Sequence, residues 1–236
     1  MDLKTITIRA GVGNVYLVIA DRGFFLVDSG TSGHEKKIVK AITSRGLELN
    51  KLQFIFLTHT HYDHAGCAAF LKNMTDTKII VHASEAENLA SGYSGVPNGT
   101  NPFFKIISFF GKRIKKPFHV FEPVEPNITL NDTFDLSKFG IHGQIIHTPG
   151  HTSGSSSLII ENEAFVGDTV FNIGGFIYPP FANDEDALLN SWERLLNQDV
   201  DMYYPAHGKP VSKDKLLKEY KKLKVKRTKD ITHPLL

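Results

Sequence analysis

The sequence predicts an α/β fold in four layers, an αββα sandwich of two facing sheets with helices outside. Three observations predict it. The first thirty residues are short β-branched and apolar runs separated by tight turns. Leu52 to Leu57 is a nearly continuous apolar run, the pattern of a strand buried on both faces. Strands followed by a helix then recur in the second half, with no residue-level repeat.

Thr5 to Arg9, Val15 to Ala20 and Phe24 to Val27 are the first strand candidates, and the turns between them suit antiparallel pairing. His34 to Ser44 predicts a helix with Ile38, Ala41 and Ile42 on one face and lysines opposite. His64 to Asn73 predicts another that buries Ala68, Leu71 and Cys67, and Lys78 to Val81 a strand. Ile141 to Ile146, Ser156 to Ile160, Ala164 to Val166 and Met202 to Tyr204 are further strands. Asp184 to Asn197 predicts a helix with Leu188, Trp192, Leu195 and Leu196 at helical spacing. The last helix, Val211 to Lys224, has an apolar face of Leu216, Leu217, Tyr220 and Leu223, so its lysines read as solvated rather than as a nucleic-acid surface.

Residues 1–236 read as one domain interrupted at Glu85 to Pro126, which fits neither half. This insertion is too long to be a structureless loop, so it predicts one helix covering a cleft. Phe103, Phe104, Phe109 and Phe110, followed by the basic run Lys112-Arg113-Ile114-Lys115-Lys116, need a surface to cover. Two readings are open, a lid over the active site and a homodimer contact. In the lid reading Phe109 packs on the apolar part of a substrate and Lys115 meets an anionic end group.

Composition bounds the class. Hydrophobic content of 41% and charged content of 22% over 236 residues are those of a globular protein. No apolar run approaches the roughly 20 residues that span a bilayer, and Met1 to Ala10 has no signal-type stretch, so no membrane partner and a cytoplasmic location are expected. The single cysteine, Cys67, excludes an intramolecular disulfide and reads as a small core residue. A net charge of +2 does not argue for nucleic acid.

The informative number is 11 histidines, which cluster. Thr58-His59-Thr60-His61-Tyr62-Asp63-His64-Ala65-Gly66 carries four metal-competent side chains just after a buried strand and before a helix. The i, i+2 spacing of His59 and His61 in extended chain turns both imidazoles the same way. Asp63 and His64 lie at the turn into the helix and face a second point nearby. One ion does not easily accept all four; two neighbouring ions can. Further ligands are offered at three strand ends, each beside glycine: His151 in Thr148-Pro149-Gly150-His151, Asp168 in Val166-Gly167-Asp168-Thr169, and His207 in Pro205-Ala206-His207-Gly208.

In order and spacing these segments closely resemble the five motifs of the metallo-β-lactamase fold superfamily of hydrolases, from about Gly13 to Gly208. The resemblance implies the αββα sandwich. It implies one metal at His59, His61 and His151, a second at Asp63, His64 and His207, and Asp168 as the bridge. The implied cofactor is two zinc ions per chain, with iron or manganese as alternatives. A water shared by two dications is a hydroxide at neutral pH, and the ions stabilise the anion that develops on a carbonyl or phosphoryl oxygen. The resemblance implies Asp63 and Asp168 as the catalytic carboxylates. Asp28 matches the family's early Asp and is read as an acceptor orienting a ligand imidazole, with His147 given a similar supporting place.

Residues also sort the family's reactions. Typical β-lactamases lack the bridging carboxylate that Asp168 supplies. Flavo-diiron proteins carry Glu where His61 stands and need a flavodoxin domain. RNA-processing nucleases need an added domain. Gly167-Asp168-Thr169-Val170-Phe171 looks like the glyoxalase II branch, although the short stretch after His207 leaves no room for that enzyme's C-terminal glutathione-binding domain. Lactonases carry tyrosine where Phe171 stands, so Phe171 becomes a substrate-contacting candidate. The expected function is hydrolysis of an ester-like bond, thioester or lactone, in a small molecule with an anionic group. The alternative is an iron oxidoreductase resembling persulfide dioxygenases, with one iron on His59, His151 and Asp168.

Overall fold

The structure, a computed structural model, describes residues 3–20, 22–113 and 119–232, with side chains up to residue 227. Strands β1 (Lys4–Ala10), β2 (Gly13–Ala20) and β3 (Gly23–Val27) form an antiparallel meander. Helix α1 (Glu35–Thr43) crosses to β4 (Leu52–Phe56), which pairs parallel to β3. Helices α2 (Tyr62–Ala65) and α3 (Ala68–Thr75) lead to β5 (Lys78–His82). Helices α4 (Ala86–Ser91) and α5 (Pro102–Gly111) precede β6 (Ile128–Leu130), which closes a six-stranded sheet in sequence order.

The second sheet begins with β7 (Thr133–Asp135), β8 (Gly143–His147), β9 (Ser156–Ile160) and β10 (Glu163–Gly167), all antiparallel. After α6 (Glu185–Leu196), β11 (Met202–Pro205) pairs parallel to β10, and β12 (Val211–Ser212) takes the edge before α7 (Lys213–Thr232).

Period-two alternation in buried strands divides the apolar residues among three cores. In β2, Val15 and Leu17 face outward onto Ile38 and Ile42 of α1 and Leu71 of α3, while Tyr16 and Val18 face inward. In β4, Ile55 faces the helices and Phe54 and Phe56 the other sheet. The middle core joins these to Ile145, Leu158, Ile160 and Phe165, with Phe25 stacked on Phe54 at 4.6 Å. Behind the second sheet, Leu188, Trp192 and Leu195 of α6 and Leu216 and Tyr220 of α7 form the third core. Three cores between four layers are the predicted sandwich.

Some elements differ from expectation. The helix predicted over 64–73 is broken in two, because the Gly66 amide bonds the Gly30 carbonyl (2.9 Å) and the Cys67 amide the Ser29 hydroxyl (3.3 Å). These amides anchor the helix start to the loop after β3 instead of continuing the ladder. The insertion carries two helices rather than one, and the short edge strands β6, β7 and β12 lack an apolar run to announce them. Cys67 is buried, as expected. Among the described residues no helix is long and apolar enough to cross a membrane.

Tyr16 ties the sheets together where the site lies. Its ring meets Phe165 at 5.2 Å and Tyr204 at 5.5 Å across the interface, and its hydroxyl donates to the Pro205 carbonyl (2.6 Å) at the end of β11. The Asn14 amide group also reaches the Pro205 carbonyl (3.3 Å), so that acceptor keeps a partner if the tyrosine hydroxyl is lost. Tyr16→Phe is therefore expected to cost about 1 kcal/mol in urea unfolding, with an unchanged denaturant slope.

Candidate metal centre

The residues that follow β3, β4, β8, β10 and β11 converge at one edge of the sandwich. After β4 the chain stays extended through His61, whose carbonyl accepts the amides of His64 and Ala65 and so starts α2. Asp63 and His64 are thereby turned inward in the first helical turn. The other two histidines need glycine beside them. Gly150 has φ +132, and a Cβ there would collide with the Leu188 backbone of α6. Gly208 has φ +100, and a Cβ would collide with the Asn172 carbonyl. Each glycine lets its histidine loop lie flat against its neighbour.

The seven residues predicted as ligands are brought together. Three donor groups, each with its ligand atoms within 4.8 Å of one another, are formed by His59, His61 and His151, by Asp63, His64 and His207, and by His59, His64 and Asp168. In the first, His61 Nδ1 lies 2.8 Å from His59 Nε2 and 3.0 Å from His151 Nε2. Asp168 stands between the first two groups. Its Oδ2 is 3.4 Å from His151 Nε2, and its Oδ1 is 3.3 Å from His64 Nε2 and 3.4 Å from His207 Nε2. Asp63 Oδ2 is 3.3 Å from His207 Nε2.

The outward-facing nitrogens show which lone pairs point in. A carbonyl or carboxylate can only accept, so the ring nitrogen facing it carries the hydrogen. His151 Nδ1 donates to the Phe181 carbonyl (2.9 Å), His207 Nδ1 to the Val12 carbonyl (3.2 Å) and His64 Nδ1 to Asp28 Oδ2 (2.9 Å). The Thr58 hydroxyl donates to Asp28 and accepts from His59 Nδ1 (3.2 Å). Four Nε2 atoms and His61 Nδ1 then face one another and the two carboxylates as acceptors. Two of these atoms, His64 Nε2 and Asp168 Oδ1, are buried with no hydrogen-bond partner. Acceptors crowded in this way repel unless a cation lies among them, and three neutral imidazoles are a zinc-type donor set. The residues fit a metal.

Without a metal, protons ease this crowding in part. Burial, then the neighbouring His151, pushes His61 down to about 3, and burial with His64 and His61 holds His59 well below the usual histidine range. His151 is lowered by burial as well. At His64 burial is outweighed by Asp28, Asp168 and Asp63, which raise it well above the usual range; at His207 burial is likewise outweighed by Asp168 and Asp63, which raise it. Burial opposes ionisation of Asp168 and Asp63, but the surrounding imidazoles hold both below the usual carboxylate range.

Asp28 takes the supporting position expected of it. It is buried at φ +62, a left-handed conformation that aspartate tolerates, and accepts from the Thr58 amide (2.8 Å) besides the contacts above. His147 sits one step further back: its Nε2 bonds the Ser153 carbonyl (2.7 Å) and its ring stacks on His82 at 4.1 Å, so it braces the loop of His151 and touches no ligand imidazole. Phe171 stacks on His207 at 4.8 Å and lines the cavity above the donors. Phe109 does not line it. One residue of helix is a turn of about 100°, and Phe109 is rotated onto the far face of α5 beneath the Arg113 guanidinium, whereas Phe110 faces the cavity. Lys115 lies outside the described residues. His34, His82 and His119 bond backbone groups instead of the donor cluster.

Glu85 escapes sequence reading. It is buried and accepts from the Thr60 amide (3.1 Å), the Thr60 hydroxyl and the Thr152 hydroxyl (2.6 Å). It thus clamps the residue between His59 and His61 to the residue after His151. The only signal is a glutamate three residues after an apolar strand, at the start of a segment otherwise read as an insertion.

Two outcomes follow from this hydrogen-bond frame. Asp28→Ala is expected to weaken metal binding about 10- to 100-fold by freeing the rings of His64 and His59, as measured by competition with a chromophoric chelator. Protons held on His64 and His207 compete with metal, so affinity should fall as pH drops. Calorimetry in buffers of different ionisation heat should show proton release on metal uptake at neutral pH.

Comparison with known proteins agrees with this geometry. The family model described as the metallo-beta-lactamase superfamily matches residues 8–207. A probable metallo-hydrolase of Methanocaldococcus jannaschii is 29% identical over 199 residues, 83% of this chain and 87% of that protein. A hydroxyacylglutathione hydrolase of Shewanella halifaxensis is 26% identical over 152 residues, 64% of this chain but only 44% of that protein. The solved structure of TTHA1623 in a di-iron-bound form superposes with a TM-score of 0.65 at 24% identity, covering 89% of this chain and 95% of that one. A match that runs from the first strand to the last histidine of the cluster makes this chain a member of the metallo-β-lactamase superfamily.

Proposed function

We propose that this chain is a hydrolase of an ester-like bond, a thioester or lactone of a small molecule, working with two metal ions of the zinc type. The observation that supports this most is Asp168, whose two carboxylate oxygens face the two complete donor triads separately. His59, His61 and His151 would hold one ion, Asp63, His64 and His207 the other, with Asp168 between them. The bound ions supply Lewis acidity and a nucleophile drawn from water at neutral pH.

The chain's own groups do the rest. Asp63 and Asp168 line the cavity floor, where their carboxylate oxygens can orient a nucleophile by accepting its hydrogen bond. Phe171 shields His207 from solvent on one side. The likeness to a hydroxyacylglutathione hydrolase supports a thioester in particular. Iron oxidation through His59, His151 and Asp168 is the second reading, kept in view by the di-iron form of TTHA1623. It has less support here, because His61 completes the first triad and the second triad is complete as well.

Elemental analysis of the isolated protein beside a screen of thioesters, lactones and phosphodiesters tests the reading. Two zinc ions per chain with thioester or lactone turnover are expected; one iron with oxygen consumption would overturn it. Asp168→Ala should lower turnover about 100-fold or more, while His34→Ala, His82→Ala and His119→Ala change it far less per folded molecule. Equal losses at all four positions would mean that the ligand set is wrong.

A further inference from the structure

We infer that the substrate's acyl half is an uncharged apolar chain or ring, bound in the cavity between α5 and the metal donors. The inference rests on the hydrolase reading and adds the substrate class to it. The cavity has a volume of about 650 Å³, in the range of small-molecule sites. Its polar groups are gathered at one end, where His61, Asp63, His151, Asp168 and His207 form the floor. The walls are apolar: Val96, Ile106, Ile107 and Phe110 on one side, Phe171 and Phe181 on the other. Among the described residues no lysine or arginine lines it.

The walls are built rather than left over. The Thr100 amide bonds the Pro180 carbonyl (3.0 Å), and its hydroxyl bonds the Pro179 carbonyl (2.9 Å). The Ala182 amide bonds the Asn98 carbonyl (2.8 Å), and the rings of Phe104 and Phe181 meet at 5.2 Å. Ser108, buried on α5, donates to the Pro97 carbonyl (2.6 Å). The start of the insertion and the segment after β10 are therefore latched together, and the same Phe181 carbonyl orients His151.

The cations of α5 point elsewhere. Lys105, Lys112 and Arg113 line a separate groove with Asp184 and Asp186 on the far side of the helix. A phosphate or carboxylate lodged against these walls, away from the floor, would lose its water to isoleucine and phenylalanine without a partner, at a large cost. An alkyl or aryl group loses nothing and gains from burial, while its carbonyl reaches the polar floor.

The test uses two probe series on the full chain as isolated. In calorimetry, normal alkanols from butanol to decanol should bind about fourfold more tightly per added methylene until the cavity is full. Acyl thioesters of N-acetylcysteamine from acetyl to decanoyl should show a parallel rise in kcat/KM. Ile107→Asp and Phe110→Asp, both at exposed positions, should flatten both slopes while circular dichroism stays unchanged. Alkanol affinity that is flat in chain length, or slopes kept in both variants, overturns the assignment of the cavity. Chain-dependent alkanol binding without hydrolysis of any thioester or lactone leaves the apolar pocket standing and sinks the hydrolase reading instead.

Discussion

Repulsion among buried acceptors is the constraint on which the site depends. Five imidazole nitrogens and two carboxylates are directed into one small volume, and the outward nitrogens of His59, His64, His151 and His207 are already committed. Asp28 is central to this arrangement. It takes the hydrogen of His64 directly and that of His59 through the Thr58 hydroxyl. Backbone carbonyls of Phe181 and Val12 do the same for His151 and His207. Such an arrangement is costly without a cation and strongly favourable with one. The fold carries that cost on its three cores, which the cluster does not share.

The topology explains how residues distant in sequence reach one place. A parallel pair of strands presents its C-terminal ends together, and each sheet contributes such a pair to the site, β3 with β4 and β10 with β11. Asp28 and His59 follow the first pair, and Asp168 and His207 the second. Sheet-on-sheet packing through Tyr16, Phe54 and Phe165 brings the two pairs to a common edge. His151 needs a different device, a loop flattened by Gly150 against α6. Glu85 then couples that loop to the first one across the seam between the sheets.

Much of this was legible in the sequence because the signals were local. A buried strand, a dense His/Asp cluster and glycine-flanked histidines sit within a few residues each, and all seven ligand candidates converge. What was not legible depends on pairings that short-range patterns do not encode. The break between α2 and α3 comes from amides captured by a loop about 36 residues earlier in the chain. Glu85 acts through Thr60 and Thr152, each unremarkable in its own segment. The choice of Phe109 over Phe110 failed because a helix with four phenylalanines has no single apolar stripe to set its rotation.

The latch between residues 98–100 and 179–182 gives one segment two duties. Phe181 is a cavity wall through its ring and a histidine partner through its carbonyl. Descendants of this chain can therefore diversify most cheaply along α5, whose side chains shape the cavity but hold no donor in place. Drift around Phe181 is penalised twice, once in what the cavity accepts and once in how His151 is aimed.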